Sequence, residues 1–386
     1  MKVTLITIAA AFLASVTVSA QTFVSTTPEN KNAVLEEFSG IHCSGCPYGH
    51  LTAKQIKTSN PNDVVLINIQ SDFFATPNPG EPDFRTTFGE TIDNQAQLQY
   101  YPGGTVNRRN FPGSEQTDFN TNMPVSGILA MGSDKWAQSV STVLGESSPV
   151  NIAAQASLNL QTRVLEVIVE TYFTAAGGTA PYKINVALMQ NNIEGPQSGA
   201  SWNPSAVLPN GNYNHQHILR HLLTGQWGAD VTSTTMGYFQ KDTFTYTVPA
   251  TIAYGTSPGI PVNLQDLEVA VYLAEGQTNI ITGNMATMNL SGQITPIDKI
   301  RTINAIKIAP NPARDHMTLQ FETSKATQAA ISIINTLGQK VYNVKNDTFD
   351  GLIHLKINTS ELTPGLYFLN ITTAEGSATK RFIVQE

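Results

Sequence analysis

The spacing of apolar residues changes period several times along the first 150 positions. Asn32 to Phe38 is an apolar run of strand type, and after Cys43-Ser44-Gly45-Cys46 the segment His50 to Thr58 sets Leu51 and Ile56 at helical spacing. Val64 to Ile69 reads as a buried strand, and beyond a Pro- and Gly-rich loop from Pro77 to Pro82 the residues Phe84, Phe88 and Ile92 fall on one helix face. Tyr101-Pro102-Gly103-Gly104-Thr105 leads into a strand-like Thr105 to Phe111, and a helix is expected around Ser133 to Leu144. This alternation of β and α predicts an α/β sheet.

From about Ser148 the period becomes two. Leu165, Val167, Val169 and Phe173 alternate with more polar neighbours, as do Ile184, Val186 and Leu188, then Phe244, Tyr246 and Val248, then Leu267, Val269, Val271 and Leu273. Strands separated by Gly, Pro and Asn turns predict a β-sandwich or jelly roll, with Gly145 to Pro149 as linker. After the turn-rich Ser291 to Pro296, a small all-β unit is expected from Ile303. Its strands are Met317 to Phe321, Ala330 to Ile334, Leu366 to Ile371 and Arg381 to Val384, with turns at Leu337-Gly338 and Thr363-Pro364-Gly365.

At the N-terminus, Lys2, the apolar Val3 to Val18 and the small residues of Val18-Ser19-Ala20 make residues 1–20 a signal peptide. That apolar run is shorter than the roughly 20 residues a membrane-spanning helix needs, so no transmembrane span is expected. Gln21 rather than Cys follows the cleavage site, so the lipid-bearing cysteine of an exported lipoprotein is missing. The net charge of −7 carries no basic footprint, which argues against a nucleic-acid partner.

The only two cysteines are Cys43 and Cys46. In an exported protein they persist as a disulfide, and a Cys-x-x-Cys opening a helix sets the first sulfur near the positive helix end, where a thiolate is stabilised. A purely structural disulfide is the alternative, but so short a loop contributes only roughly 2 kcal/mol. A third reading, zinc held by His42, Cys43, Cys46 and His50, has the right ligand types but poor geometry, because a helix turns His50 away from Cys43. Haem attachment fails because Pro47 stands where His is needed. No cofactor or metal is expected.

With Glu37 six positions before Cys43 and Tyr101-Pro102 further on, the chain resembles the thioredoxin superfamily. The resemblance implies Glu37 as the buried proton-relay carboxyl, Pro102 as a cis proline packed against the disulfide, Cys43 as the attacking thiolate and Cys46 as the resolving thiol. Two positions depart from the superfamily pattern: His42 precedes the first cysteine in place of Trp, and Pro47 follows the second.

Tyr213 to His221 gathers three histidines, His215, His217 and His221. On one strand His215 and His217 share a face, but without a nearby acid or thiol we read them as polar residues on a solvated face or at the sandwich edge rather than metal ligands. Trp202 and Trp227 are read as packing and turn residues.

Cys43 to Pro47, Tyr101 to Arg108 and His215 to Trp227 together resemble the outer membrane protein 28-related family over about residues 31 to 293. That likeness implies a thioredoxin-like module followed by a β-sandwich in a surface protein. Ala309-Pro310-Asn311-Pro312 with Asp315, Leu337-Gly338-Gln339-Lys340-Val341, Leu362 to Tyr367 and Lys380 to Val384 resemble the type IX secretion C-terminal sorting domain.

The expected architecture is therefore a signal peptide (1–20), an α/β thioredoxin-like domain (21–147), an all-β, jelly-roll-like sandwich (148–295) and a small Ig-like β-sandwich sorting domain (303–386). The implied partner is the type IX secretion machinery, with cleavage of the tail and either attachment to cell-surface lipopolysaccharide or release. Two functions follow: thiol-disulfide exchange with exported protein thiols or disulfides at the outer-membrane surface or outside the cell, and, as alternative, non-catalytic surface binding or adhesion through the sandwich.

Overall fold

The first apolar run folds as β1 (Ala33–Ser39), with every residue buried. The computed structural model describes residues 23–123, 125, 127–292, 303–335, 340–373 and 376–385. Residues 1–20, the turn at Leu337-Gly338 and most of Ser291 to Pro296 lie outside the described residues. The chain divides into two compact units, Met1–Ser291 and Gly292–Glu386.

In the first unit β1 is followed by α1 (Cys46–Ser59) and β2 (Val64–Gln70), and the two strands pair in parallel, which requires a crossover such as α1. Pro47 is accommodated because the first helical turn has no internal partner for its missing N–H. A single turn, α2 (Asp72–Ala75), precedes α3 (Thr87–Ala96), which Thr86 caps by accepting the Gly89 amide. Then come β3 (Gly103–Val106), antiparallel to β1 and shorter than the strand expected to Phe111, β4 (Met131–Gly132) and α4 (Trp136–Leu144).

Beyond Pro149 run the long strands β5 (Val150–Asn159), β6 (Val164–Phe173) and β7 (Tyr182–Gln190), and the short pair β8 (Ile193–Gly195) and β9 (Tyr213–His215). They are followed by β10 (Ile218–Leu222), β11 (Ala229–Asp230), β12 (Phe239–Thr247), the small β13 (Thr251–Ile252) and β14 (Ile260–Pro261), β15 (Leu267–Glu275), β16 (Thr278–Met285) and β17 (Thr287–Ser291).

One sheet runs β16-β15-β7-β10-β2-β1-β3-β4, so strands from both sides of the expected linker at 145–149 share it; a second sheet runs β12-β6-β5-β17. The join is β10 beside β2, with Ile218 opposite Asn68. One face of the large sheet is continuous: Val34 and Phe38 of β1, Ala187 and Met189 of β7 and Tyr272 of β15 pack into one core with Ile92 of α3. On the other face α1 and α4 cover Ala33 and Leu35, while the second sheet covers Ile184, Val186, Leu188, Val269 and Val271. The molecule is mostly β, with sandwich packing over this second core.

Strand alternation sends the adjacent Glu36 and Glu37 to opposite faces. Glu36 receives Arg108, whose Nε lies 2.8 Å from Oε2, and Arg108 Nη2 also donates to Tyr272 Oη at 3.0 Å; all three are buried. Glu37 faces α1.

The second unit contains β18 (Ile303–Ala309), β19 (His316–Ile334), β20 (Lys340–Asn358), β21 (Gly365–Thr373) and β22 (Gly376–Val384). They form one sheet ordered β18-β19-β21-β22, with β20 also on β19. The strands expected at Met317 to Phe321 and Ala330 to Ile334 are two halves of β19, joined across a register shift between Thr323 and Thr327. Such an irregularity bends a strand without ending it.

Candidate functional site

Cys43 and Cys46 are joined in a disulfide, Cys43 just before Gly45, the N-cap of α1, and Cys46 as its first residue. The pair is enclosed: Cys43 is 3% and Cys46 0% exposed. The Tyr101–Pro102 peptide is cis, and Pro102 lies against α1. A Cβ built on Gly49 would sit 2.8 Å from Pro102 Cβ and 3.0 Å from Glu37 Oε1, and one on Gly45 3.2 Å from Pro102 Cδ. Glycine at 49 is thus what lets the proline, the carboxylate and the first turn of the helix converge.

Glu37 is 1% exposed. Opposite it in register on β2 stands Asn68, whose Nδ2 donates to Oε2 at 3.3 Å. Oε1 has no hydrogen-bond partner among the described residues and lies 3.8 Å from His50 Nε2. Burial pushes the Glu37 carboxyl up to about 8, against the opposing effect of the Asn68 bond. At neutral pH it is largely a protonated acid.

The next residue along α1 after Gly49, His50, lies within 2.8 Å of Ser39 Oγ through Nε2 and 2.9 Å of Tyr213 Oη through Nδ1. Asn203 Nδ2 donates to the same Tyr213 oxygen at 2.9 Å. Hydroxyls thus hold both ring nitrogens of His50, Ser39 at Nε2 and Tyr213 at Nδ1. Burial, then the neighbouring His215, lowers the His50 pKa to about 3; burial lowers His215 to about 4, and the Pro196 carbonyl bond opposes it. Both rings are neutral. A cavity of about 300 Å³ is lined by Glu37, His50, Asn68, Asn203, Tyr213 and His215.

The three clustered histidines do not share a face. His215 is buried beside Phe84; His217, at φ +55, falls in the break between β9 and β10; and His221 stacks on Tyr246. His217 does have an acidic partner, Glu268 Oε2 at 2.9 Å, which corrects the expectation of none; Glu268 is 51 residues away in sequence. His42 pairs with Glu81 at 2.9 Å. Among the described residues no group of three or more His, Cys, Asp or Glu is arranged to hold a metal ion. Trp202, expected to pack, is 62% exposed and meets the ring of Tyr48 edge-on.

The segment between β8 and β9 also reaches this site, which no residue pattern along the chain had signalled. Gln197 Nε2 donates to the carbonyls of Gly40 at 3.1 Å and Cys43 at 3.0 Å, and the Ser198 amide donates to Ile41 at 2.8 Å.

Fold and site define a mostly β protein enclosing one Cys-x-x-Cys disulfide. Residues 307–385 match the family model of the secretion system C-terminal sorting domain, and residues 90–257 that of outer membrane protein Omp28. Among solved structures, HBP35 of Porphyromonas gingivalis is similar at a TM-score of 0.50 and 16% identity, over 92% of this chain and 99% of that one. A domain of the outer membrane lipoprotein Omp28 from Porphyromonas gingivalis aligns at a TM-score of 0.24 and 14% identity, over 37% of this chain and 91% of that one. No curated protein matches. The chain is an exported protein of the outer-membrane surface or the extracellular space, and its sorting tail implies the type IX secretion machinery as partner. No helix among the described residues is long and apolar enough to cross a membrane.

Proposed function

We propose that the first unit carries a thioredoxin-like site for thiol-disulfide exchange with exported proteins. The observation that supports it is the convergence of Pro102 and Glu37 on Gly49, one turn into the Cys-x-x-Cys helix. In the reducing direction for this chain, a thiolate of an exported dithiol protein attacks Cys43 Sγ and the Cys43–Cys46 bond breaks. Its electron pair passes to the Cys46 sulfur, which takes the proton held by Glu37. The partner's second thiolate then attacks the mixed disulfide and frees Cys43, leaving the partner oxidised and this chain reduced. In reverse, Glu37 accepts the Cys46 proton.

Within this reading residues 21–147 are the redox module and 148–295 a sandwich that completes its walls, with 303–386 serving export. After cleavage of the tail the protein is either attached to surface lipopolysaccharide or released. Alkylation of the reduced chain tests the proposal: Cys43 should react faster than Cys46 and titrate below the roughly 8.5 of a free thiol. Equal rates with free-thiol pH dependence would remove its physical basis.

A second reading, a binding or adhesion protein with an inert disulfide, is favoured by one observation, the 3% exposure of Cys43. The alkylation experiment separates the two.

A further inference from the structure

Thiol exchange needs an approach to one sulfur along the axis of the bond being broken, and here both sulfurs are enclosed. The Pro196–Ala206 strap lies on the main chain of the motif that holds them, with Gln197, 154 residues from Cys43 in sequence, donating to the Cys43 carbonyl. Gly199, at φ +66, rests backbone to backbone on the motif: a Cβ there would lie 1.9 Å from the Ser44 carbonyl oxygen. At its far end Asn203 ties the strap to Tyr213 and, through it, to His50.

These attachments are few and, apart from the edge-on contact of the exposed Trp202 with Tyr48, polar; they include the Pro196 carbonyl on His215 Nε2. Between Pro196 and Ala206 only Asn203 is buried, and no apolar side chain of the strap enters the core. A segment held this way opens at a small fraction of the cost of global unfolding. It is also docked as a peptide would be, by a main-chain amide on Ile41 and a carboxamide shared by the Gly40 and Cys43 carbonyls.

We propose that the Pro196–Ala206 strap is a gate seated where the reacting partner belongs, and that the carbonyls of Gly40, Ile41 and Cys43 receive an extended segment of an exported polypeptide when it leaves. Gln197 is the latch. The partner is a polypeptide because the uncovered edge consists of main-chain acceptors, which main-chain N–H groups satisfy as the Ser198 amide does now. The identity of that partner rests on the exchange reading above; the gate does not.

The test is the rate at which dithiothreitol reduces Cys43–Cys46 in the folded full chain, read by alkylation and mass, in the native sequence, Gln197→Ala and Gly199→Ala. Gln197→Ala should reduce roughly five- to a hundredfold faster, as expected for losing two amide-to-carbonyl bonds. Gly199→Ala, which lifts the strap sterically, should match or exceed it. A synthetic peptide of residues 195–206 should slow the Gly199→Ala reaction again by refilling the edge. Native rates in both variants would overturn the gate, and a peptide without effect would overturn the docking seat. Faster reduction with no turnover on any protein disulfide would end the exchange reading and leave the gate standing.

Discussion

Replacing Glu37 with Gln should change how the first unit's stability depends on pH. The folded carboxyl titrates near 8, against 4.5 for the ordinary group. Between those values the folded chain keeps a proton that the unfolded chain releases. This contribution is therefore fully present below pH 4.5 and is lost as pH rises through 8, at about 1.4 kcal/mol per unit. His50 and His215 act oppositely: their pKa values are lowered to about 3 and about 4, so their contribution is present above 6.5 and lost as pH falls through 4 and 3. The three groups together give a maximum near pH 6.5, with a fall of about 2 kcal/mol from there to pH 8 due to Glu37 alone. Glu37→Gln stays neutral and keeps an oxygen for Asn68, so it should lack that fall. Urea unfolding followed by tryptophan fluorescence measures it, because Trp136, Trp202 and Trp227 all lie in the first unit. Other titrating groups are common to both chains and cancel in the difference. Parallel stability curves between pH 6.5 and 8 would mean that Glu37 titrates as an ordinary carboxylate and that its burial leaves its proton affinity unchanged.

Gly49→Ala should lower stability by about 1–3 kcal/mol in the same assay, because overpacking against Pro102 and Glu37 outweighs the roughly 1 kcal/mol of helix propensity gained. Arg108→Met should cost about 3–5 kcal/mol by leaving Glu36 buried and unpaired, and Arg108→Met with Glu36→Leu should recover most of that loss. Removing residues 307–385 should leave the protein in the periplasm by cell fractionation, and fusing them to an inert exported reporter should send the reporter outside.

The Cys-x-x-Cys at a helix start was legible from local sequence, whereas the place of Glu37 and Pro102 beside it came from the resemblance to the thioredoxin superfamily, and the structure brings both against Gly49. The shared sheet was less legible. In β7 and β15 the residues Ile184, Val186, Leu188, Val269 and Val271 announce one apolar face. The opposite face is also buried, but by Ala187, Met189, Ala270 and Tyr272, a mixture of small, flexible and hydroxyl-bearing side chains that marks a core face less plainly than Ile, Val and Leu do. A strand covered on both faces then passes for one side of an isolated sandwich. Its offset from Cys43 singled out Glu37, but that the adjacent Glu36 is buried as well, on the opposite face against the distant Arg108, shows only in the structure. The strap was not legible because residues 195–206 are mostly Gly, Pro, Ser, Ala and Asn, which code for a turn and not for its destination, and neither Gln197 nor Trp202 among them points to a partner.

The most direct measurement is catalysed reduction of insulin disulfides by dithiothreitol, using the purified chain and its Cys43→Ser and Cys46→Ser variants. The native chain should accelerate the reaction, Cys43→Ser should abolish the acceleration, and Cys46→Ser should stall as a mixed disulfide on Cys43. A native chain no faster than the uncatalysed reaction, with Gln197→Ala equally inactive, would contradict the exchange reading.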